Sequence, residues 1–238
     1  MRTLIYCTSF FQDTPGSAER WRRWIAYYRP RLAEFGADGL LLIDDGSPLE
    51  NIPGELPLVH AGRFLPRQMP SGSPLFRFDS HLGRNHVFRF PGWWRSFSFA
   101  AVIARKYGYR KLIHIESDAF VLSNRMSAFL RDTALGWTAF WCPRYNRPES
   151  AIQVICADQF EALEGYYHRG PDFWQSWICA ETALPFTSVD RTFHGDRFGE
   201  FLPAIPQSAD FVCQTTGEMA ASLVSPESLF ALEEETAC

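Results

Sequence analysis

The strongest constraint on this chain is the way its apolar runs end. "LLLIDDGS" (40–47) and "KLIHIESDA" (111–119) are short, dense apolar stretches that stop abruptly at carboxylates, Asp44 and Asp45 in the first, Glu116 and Asp118 in the second. A run with no polar alternation marks a strand buried on both faces, which is typical of parallel sheets covered by helices. Parallel neighbours need crossovers, and the chain supplies them. "RTLIYCTSF" (2–10) reads as a first strand, and "GSAERWRRWIAYYRPRLAEFG" (16–36) sets Trp21, Trp24, Ile25, Tyr28, Leu32 and Phe35 at helical spacing before Gly36. Pro30 is expected to kink or split that helix, because it has no N–H to donate. "LPLVHAGRF" (56–64) is a third strand. The order predicts an α/β fold, a mostly parallel, Rossmann-like central sheet flanked by helices, in one domain over 1–238.

Further along, "WWRSFSFAAVIARKYG" (93–108) predicts a helix closed by Gly108, "GWTAFWC" (136–142) and "AIQVICA" (151–157) predict strands, and "DQFEALEGYYH" (158–168) and "PDFWQSWICAETAL" (171–184) predict helices. Asp158 and Asp172 read as helix N-caps. Residues 66–92, rich in Pro, Gly and Ser, read as one long loop, a length that in a compact domain usually has a function. The chain is expected to end in an acidic, frayed tail. A net charge of -4 argues against a general nucleic-acid binder. The cysteines form no C-x-x-C pair and sit mostly in apolar runs, which favours buried thiols over a disulfide framework. The N-terminus is too soon polar for a signal peptide and no run reaches the ~18 apolar residues of a membrane span, so a cytoplasmic location is expected.

In open α/β sheets ligands bind beyond the carboxyl ends of the strands, and here two such ends carry acids. Carboxylates at i and i+2 point the same way if the strand continues, and they repel unless a cation lies between them. A hard divalent ion, Mg²⁺ or Mn²⁺, would meet that need and would in turn hold phosphate oxygens. The segment from 60 to 95 adds Arg63, Arg67, Arg77, Arg84, Arg89 and Arg95 against a single acid, Asp79. Arginine forks suit phosphate. Arg95, in the first turn of a predicted helix, and Arg84 are the expected diphosphate ligands.

The succession of a first apolar strand, "LLLIDDGS", a helix, then "LIHIESDAFVL" resembles the GT-A glycosyltransferases over roughly residues 3–165. That resemblance implies a nucleotide-sugar-binding half (1–123) and an acceptor-binding half (124–238). By it, Thr8, Ser9, Asp44, Asp45, Arg84, Arg95, Glu116 and Ser117 would line the donor site. "ESD" stands where the family has its DXD motif, so Asp118, with Glu116, would be metal ligands. Glu116 departs from the usual first aspartate, and its longer side chain would reach ribose or a water. His194 in "DRTFHGDRFGE" would be the third ligand and Glu181 in "WICAETALPF" the catalytic base. The implied reaction is metal-dependent transfer from a nucleoside diphosphate sugar, expected to be uridine-linked, to a saccharide or lipid-linked glycan. A lipid-linked acceptor brings peripheral membrane association with it. Two alternatives stay open: a catalytically inactive glycan- or nucleotide-binding protein on the same fold, and a sugar-1-phosphate nucleotidyltransferase. "CTSFFQDTPGS" lacks the glycine-rich, lysine-bearing loop expected of the latter.

Overall fold

A computed structural model describes residues 1–62, 64–86, 88–225 and 229. Arg63 and the predicted acidic tail lie outside the described residues.

The first strand, β1 (Thr3–Ser9), is buried along its whole length. Helix α1 (Pro15–Tyr28) follows and gives way at Arg29–Phe35 to a 3₁₀ turn that carries Pro30, as the missing N–H requires. The chain then enters β2 (Gly39–Asp44), β3 (Leu58–His60) and β4 (Leu75–Arg77). β4 corrects the expectation of one long loop, because it pairs in parallel with both β2 and β3. Helix α2 (Pro91–Tyr107) leads to β5 (Lys111–Ile115), then β6 (Phe120–Val121), α3 (Asn124–Asp132), β7 (Trp137–Cys142) and β8 (Arg147–Cys156). Next come α4 (Phe160–His168), α5 (Gly170–Trp174), α6 (Ala180–Ala183), β9 (Ser188–Asp190), β10 (Gly195–Asp196), β11 (Phe211–Val212) and α7 (Gly217–Leu223). The single helix predicted over 171–184 is therefore two short ones. Gln175–Cys179 leaves the helical path, where Arg89 donates to the Gln175 carbonyl at 2.7 Å and the Trp177 and His86 rings meet at 4.4 Å.

The main sheet has the order β3-β4-β2-β1-β5-β8-β7-β9. Only β8 runs against its neighbours. This is an α/β fold with a mostly parallel sheet between helices, and the sheet crosses the boundary between residues 123 and 124 without a break. β6, β10 and β11 form a second, three-stranded sheet.

Strand pleating sorts the core into two layers. Ile5, Cys7, Leu40, Leu42, Ile113 and Ile115 pack with α1, α3 and α7. Leu4, Tyr6, Leu41, Ile43 and Leu112 pack with α2, α4 and α5. Lys111, wholly buried, donates from Nζ to the carbonyls of Leu130 (2.9 Å), Arg131 (2.5 Å) and Thr133 (3.1 Å), and so caps the C-terminal end of α3.

Candidate functional site

β1 is the switch point of the main sheet, since β2 follows it on one side and β5 joins it on the other. At their carboxyl ends lies a cleft of about 510 Å³ lined by Thr8, Ser9, Phe10, Arg20, Asp45, His81, Arg84, Trp93, Ser96, Glu116 and Ser117, among others. This is where open α/β sheets bind ligands. The first turn of α2 (Gly92, Trp93) also borders it; that turn carries no acid of its own, and the Asp45 carboxylate lies against Gly92.

Both aspartates of "IDDGS" are committed to shaping the cleft. Asp44 is fully buried; it accepts from Gly46 N (3.0 Å), Ser47 N (2.7 Å), Ser47 Oγ (2.5 Å) and Ser9 Oγ (3.3 Å). Burial raises its pKa, against the pull of those Ser47 and Ser9 bonds. Gly46 turns with φ 83°, and a Cβ there would lie 2.4 Å from the Ser80 backbone. Asp45 clamps the 80–83 loop to α2. It accepts from Leu82 N (3.1 Å), Gly83 N (2.7 Å) and Arg95 Nη2, with His81 Nδ1 at 3.0 Å. Its carboxylate occupies the space a side chain at 92 would need, because a Cβ on Gly92 would fall 2.0 Å from Oδ2. Asp45 lines the cleft, whereas Asp44 lies beneath it.

The pair at the end of β5 is arranged differently from the side-by-side expectation. The strand stops at Ile115, and Ala119 N bonds to Glu116 O at 3.0 Å, closing a turn. Glu116 keeps the α2 side of the sheet, where it accepts from Trp93 Nε1 and from Thr8 Oγ1 at 3.1 Å. His114 Nε2 is 3.3 Å away, off the line of a hydrogen bond. Burial pushes the Glu116 pKa up, but His114, Trp93 and Thr8 outweigh it and hold the carboxyl below its ordinary value. Asp118 turns to the α1 side and pairs with Arg20 Nη2 at 2.8 Å. Burial, reinforced by Glu116, raises the Asp118 pKa despite Arg20.

Arg95 is not free for a diphosphate. It is buried over the Phe78 ring at 4.0 Å and bonded to Asp45, to Ser80 O (2.5 Å) and to Ser80 Oγ (3.2 Å). Burial lowers its pKa, which Asp45 opposes. Arg84 fits the expected role better: it is exposed, lines the cleft, and has no carboxylate partner among the described residues. Sequence reasoning missed Arg20, Trp93 and Ser96. Ser96 is buried and lines the cleft, and its Oγ has no hydrogen-bond partner, so it is an unused polar atom at the cleft's edge. The Phe10 and His81 rings stack at 3.8 Å at the same mouth.

Glu181 lies in a second constellation. It accepts from Ser150 Oγ (3.1 Å) and Cys179 Sγ (2.5 Å) and lies 3.5 Å from Arg197 Nη2. Arg197 Nε also donates to Glu149 at 2.6 Å. Glu149 is buried in β8 where the register with β7 shifts, so that residues 150–152 have no β7 partner and Ser150 meets Glu181. Burial raises the Glu149 pKa, with Arg197 pulling it down and Glu181 pushing it up. Arg197 also acts electrostatically on Asp118, which links the two constellations.

A divalent cation finds no assembled ligand set. Glu116 is taken up by Trp93 and Thr8, Asp118 faces Arg20, and His194 Nδ1 sits 3.1 Å from Ser208 Oγ at the start of β10. Among the described residues no group of three His, Cys, Asp or Glu side chains is placed to hold a metal. The donor set as folded does not fit the expected Mn²⁺ or Mg²⁺.

The described cysteines are all free thiols, and among the described residues no helix is long and apolar enough to cross a membrane. No protein-family model and no curated protein matches the chain. Among solved structures, the chain is similar to one described as a "crystal structure of a glycosyltransferase involved in the glycosylation of the major capsid of PBCV-1". The two are 11% identical, with 97% of this chain and 98% of that chain covered and a TM-score of 0.48.

Proposed function

We propose that the cleft binds a nucleoside diphosphate sugar, and that the protein transfers the sugar to a saccharide or lipid-linked glycan acceptor. One observation carries the reading. A polar cleft at the switch point of the sheet gathers Arg20, Arg84, the hydroxyls of Thr8, Ser9 and Ser117 and the unpartnered Ser96 hydroxyl. Those groups suit a pyrophosphate flanked by hydroxyl-bearing rings. The Phe10–His81 stack offers an aromatic edge for the base, and Thr8, Ser9 and Ser117 offer hydroxyls for ribose or uracil.

In this reading the chain's own residues act as follows. Arg84 and Arg20 stabilise the charge that builds on the leaving diphosphate, the largest contribution such a site can make. Glu116, fixed by Trp93 and Thr8, orients the donor through the hydroxyls beside it. Glu181, kept near Arg197 and Ser150, takes the proton from the acceptor hydroxyl as that oxygen attacks the anomeric carbon. For the metal dependence expected from the "ESD" pattern, no group of three ligating side chains is assembled among the described residues. The test is a mass-spectrometric screen of nucleoside diphosphate sugars, with and without saccharide acceptors. Release of nucleoside diphosphate with a matching gain of one glycosyl unit is expected. Binding without turnover would favour the inactive, ligand-binding alternative.

A further inference from the structure

Resting on the nucleotide-sugar reading, we infer that Arg20 takes the place of the divalent cation, so that the donor diphosphate binds without a metal ion. The inference starts from the β5 turn. In an extended strand Glu116 and Asp118 would face the same way and share one cation. Here the turn closed by Ala119 N to Glu116 O sends them to opposite faces of the sheet, each to a different partner. Glu116 receives its stabilisation from Trp93 Nε1 and Thr8 Oγ1, which a metal ligand would have to give up. Asp118 receives a whole positive charge from Arg20, with Nη2 to Oδ2 at 2.8 Å.

Arg20 has the features the task requires. Its side chain is 49% exposed and it lines the cleft, so it meets ligand and carboxylate at once. A guanidinium carries five N–H donors in a rigid fork, and one Nη on Asp118 leaves others for phosphate oxygens. Asp118 aims that fork into the cleft, as a second carboxylate aims a ligand in many charged sites. Arg84 lines the same cleft and has no carboxylate partner among the described residues, so two guanidiniums serve the diphosphate. A metal entering at Asp118 would have to displace Arg20, and among the described residues no group of three His, Cys, Asp or Glu side chains is placed to hold it.

The test is calorimetric titration of the nucleoside diphosphate that the wild-type protein binds best, in EDTA and in millimolar Mn²⁺ or Mg²⁺. The expected result is the same affinity within about twofold in all three conditions, a loss of at least tenfold in Arg20→Met, and a smaller loss in Arg20→Lys, which keeps the charge and loses the fork. Wild-type binding that strengthens tenfold or more with the metal overturns the inference and leaves the nucleotide-sugar reading standing. Full affinity in a folded Arg20→Met overturns it likewise. Binding of no nucleoside diphosphate in any condition overturns both together. The wild-type comparison needs no variant to fold.

Discussion

Removing the Arg197 guanidinium is the sharpest perturbation of the interior. Glu149 is buried, its side chain 3% exposed, and Arg197 Nε at 2.6 Å is its main counter-charge. Its remaining bond is from Ala151 N at 3.0 Å. Arg197→Met keeps much of the apolar stem and strands the carboxylate. Breaking a buried pair by removing one partner costs about 3–5 kcal/mol. The sign with pH follows from Glu149. Burial already holds its folded pKa above the ordinary value, with Arg197 pulling down, and the substitution raises it further. A raised carboxyl pKa means that stability is fully present below the unfolded value, about 4.3, and is lost as pH rises through the folded one. Urea unfolding of Arg197→Met should therefore show the full loss at pH 7.5 and a much smaller loss near pH 5. Arg197→Met with Glu149→Gln should recover much of it at pH 7.5, since the buried Glu149 charge is gone and Glu181 keeps its bonds from Ser150 and Cys179. A loss below about 1 kcal/mol, or one independent of pH, would refute the assignment of Glu149 as a buried charge held by Arg197.

Other outcomes follow from the same geometry. Gly92→Ala forces a methyl into the Asp45 carboxylate and should cost about 1–3 kcal/mol by chemical denaturation, with weaker nucleotide binding as the 80–83 loop shifts. Asp44→Ala should lower stability by about 1–3 kcal/mol, because its turn loses the bonds it accepts; unchanged stability with lost nucleotide affinity would instead make Asp44 a direct ligand. Asp118 has a pKa raised by burial and by Glu116, so its ionisation costs stability as pH rises. Asp118→Asn should thus match or exceed the wild-type Tm at pH 8 and lose that advantage near pH 4. Glu181→Gln should bind donor normally and transfer it about 10² to 10⁴ times more slowly, as for a lost general base.

The parallel core was legible because burial on both faces leaves unbroken apolar runs, and β1, β2 and β5 each show one. β4 was hidden because three residues, Leu75–Arg77, are too few to show a period inside a Pro- and Gly-rich stretch. The break at Gln175–Cys179 was hidden because contacts with Arg89 and His86 pull the chain off its helical spacing. The acidic strand ends were legible as a cluster, and Asp45 and Glu116 do border the cleft, but their partners were not legible. Asp44 and Asp45 are spent on a turn and a clamp, Arg95 seals Asp45, and Asp118 finds Arg20 at a separation along the chain that no local pattern encodes. Arg20 lies on α1 among other charged residues, Glu19, Arg22 and Arg23, with nothing local to set it apart. Glu149, in the middle of a strand, left no signal, because its partner lies 48 residues away.

Calorimetry shows whether the cleft at the ends of β1, β2 and β5 holds a nucleoside diphosphate sugar. Uridine and guanosine diphosphates and their sugar conjugates would be titrated into wild type, Arg84→Ala and Ser96→Leu. The last places a bulky apolar group against the unpartnered hydroxyl position. At least one nucleotide should bind wild type with a single site, at least tenfold more weakly to Arg84→Ala and more weakly still to Ser96→Leu. Binding by no nucleotide, or binding that both folded variants leave intact, would mean that the cleft is not a nucleotide-sugar site.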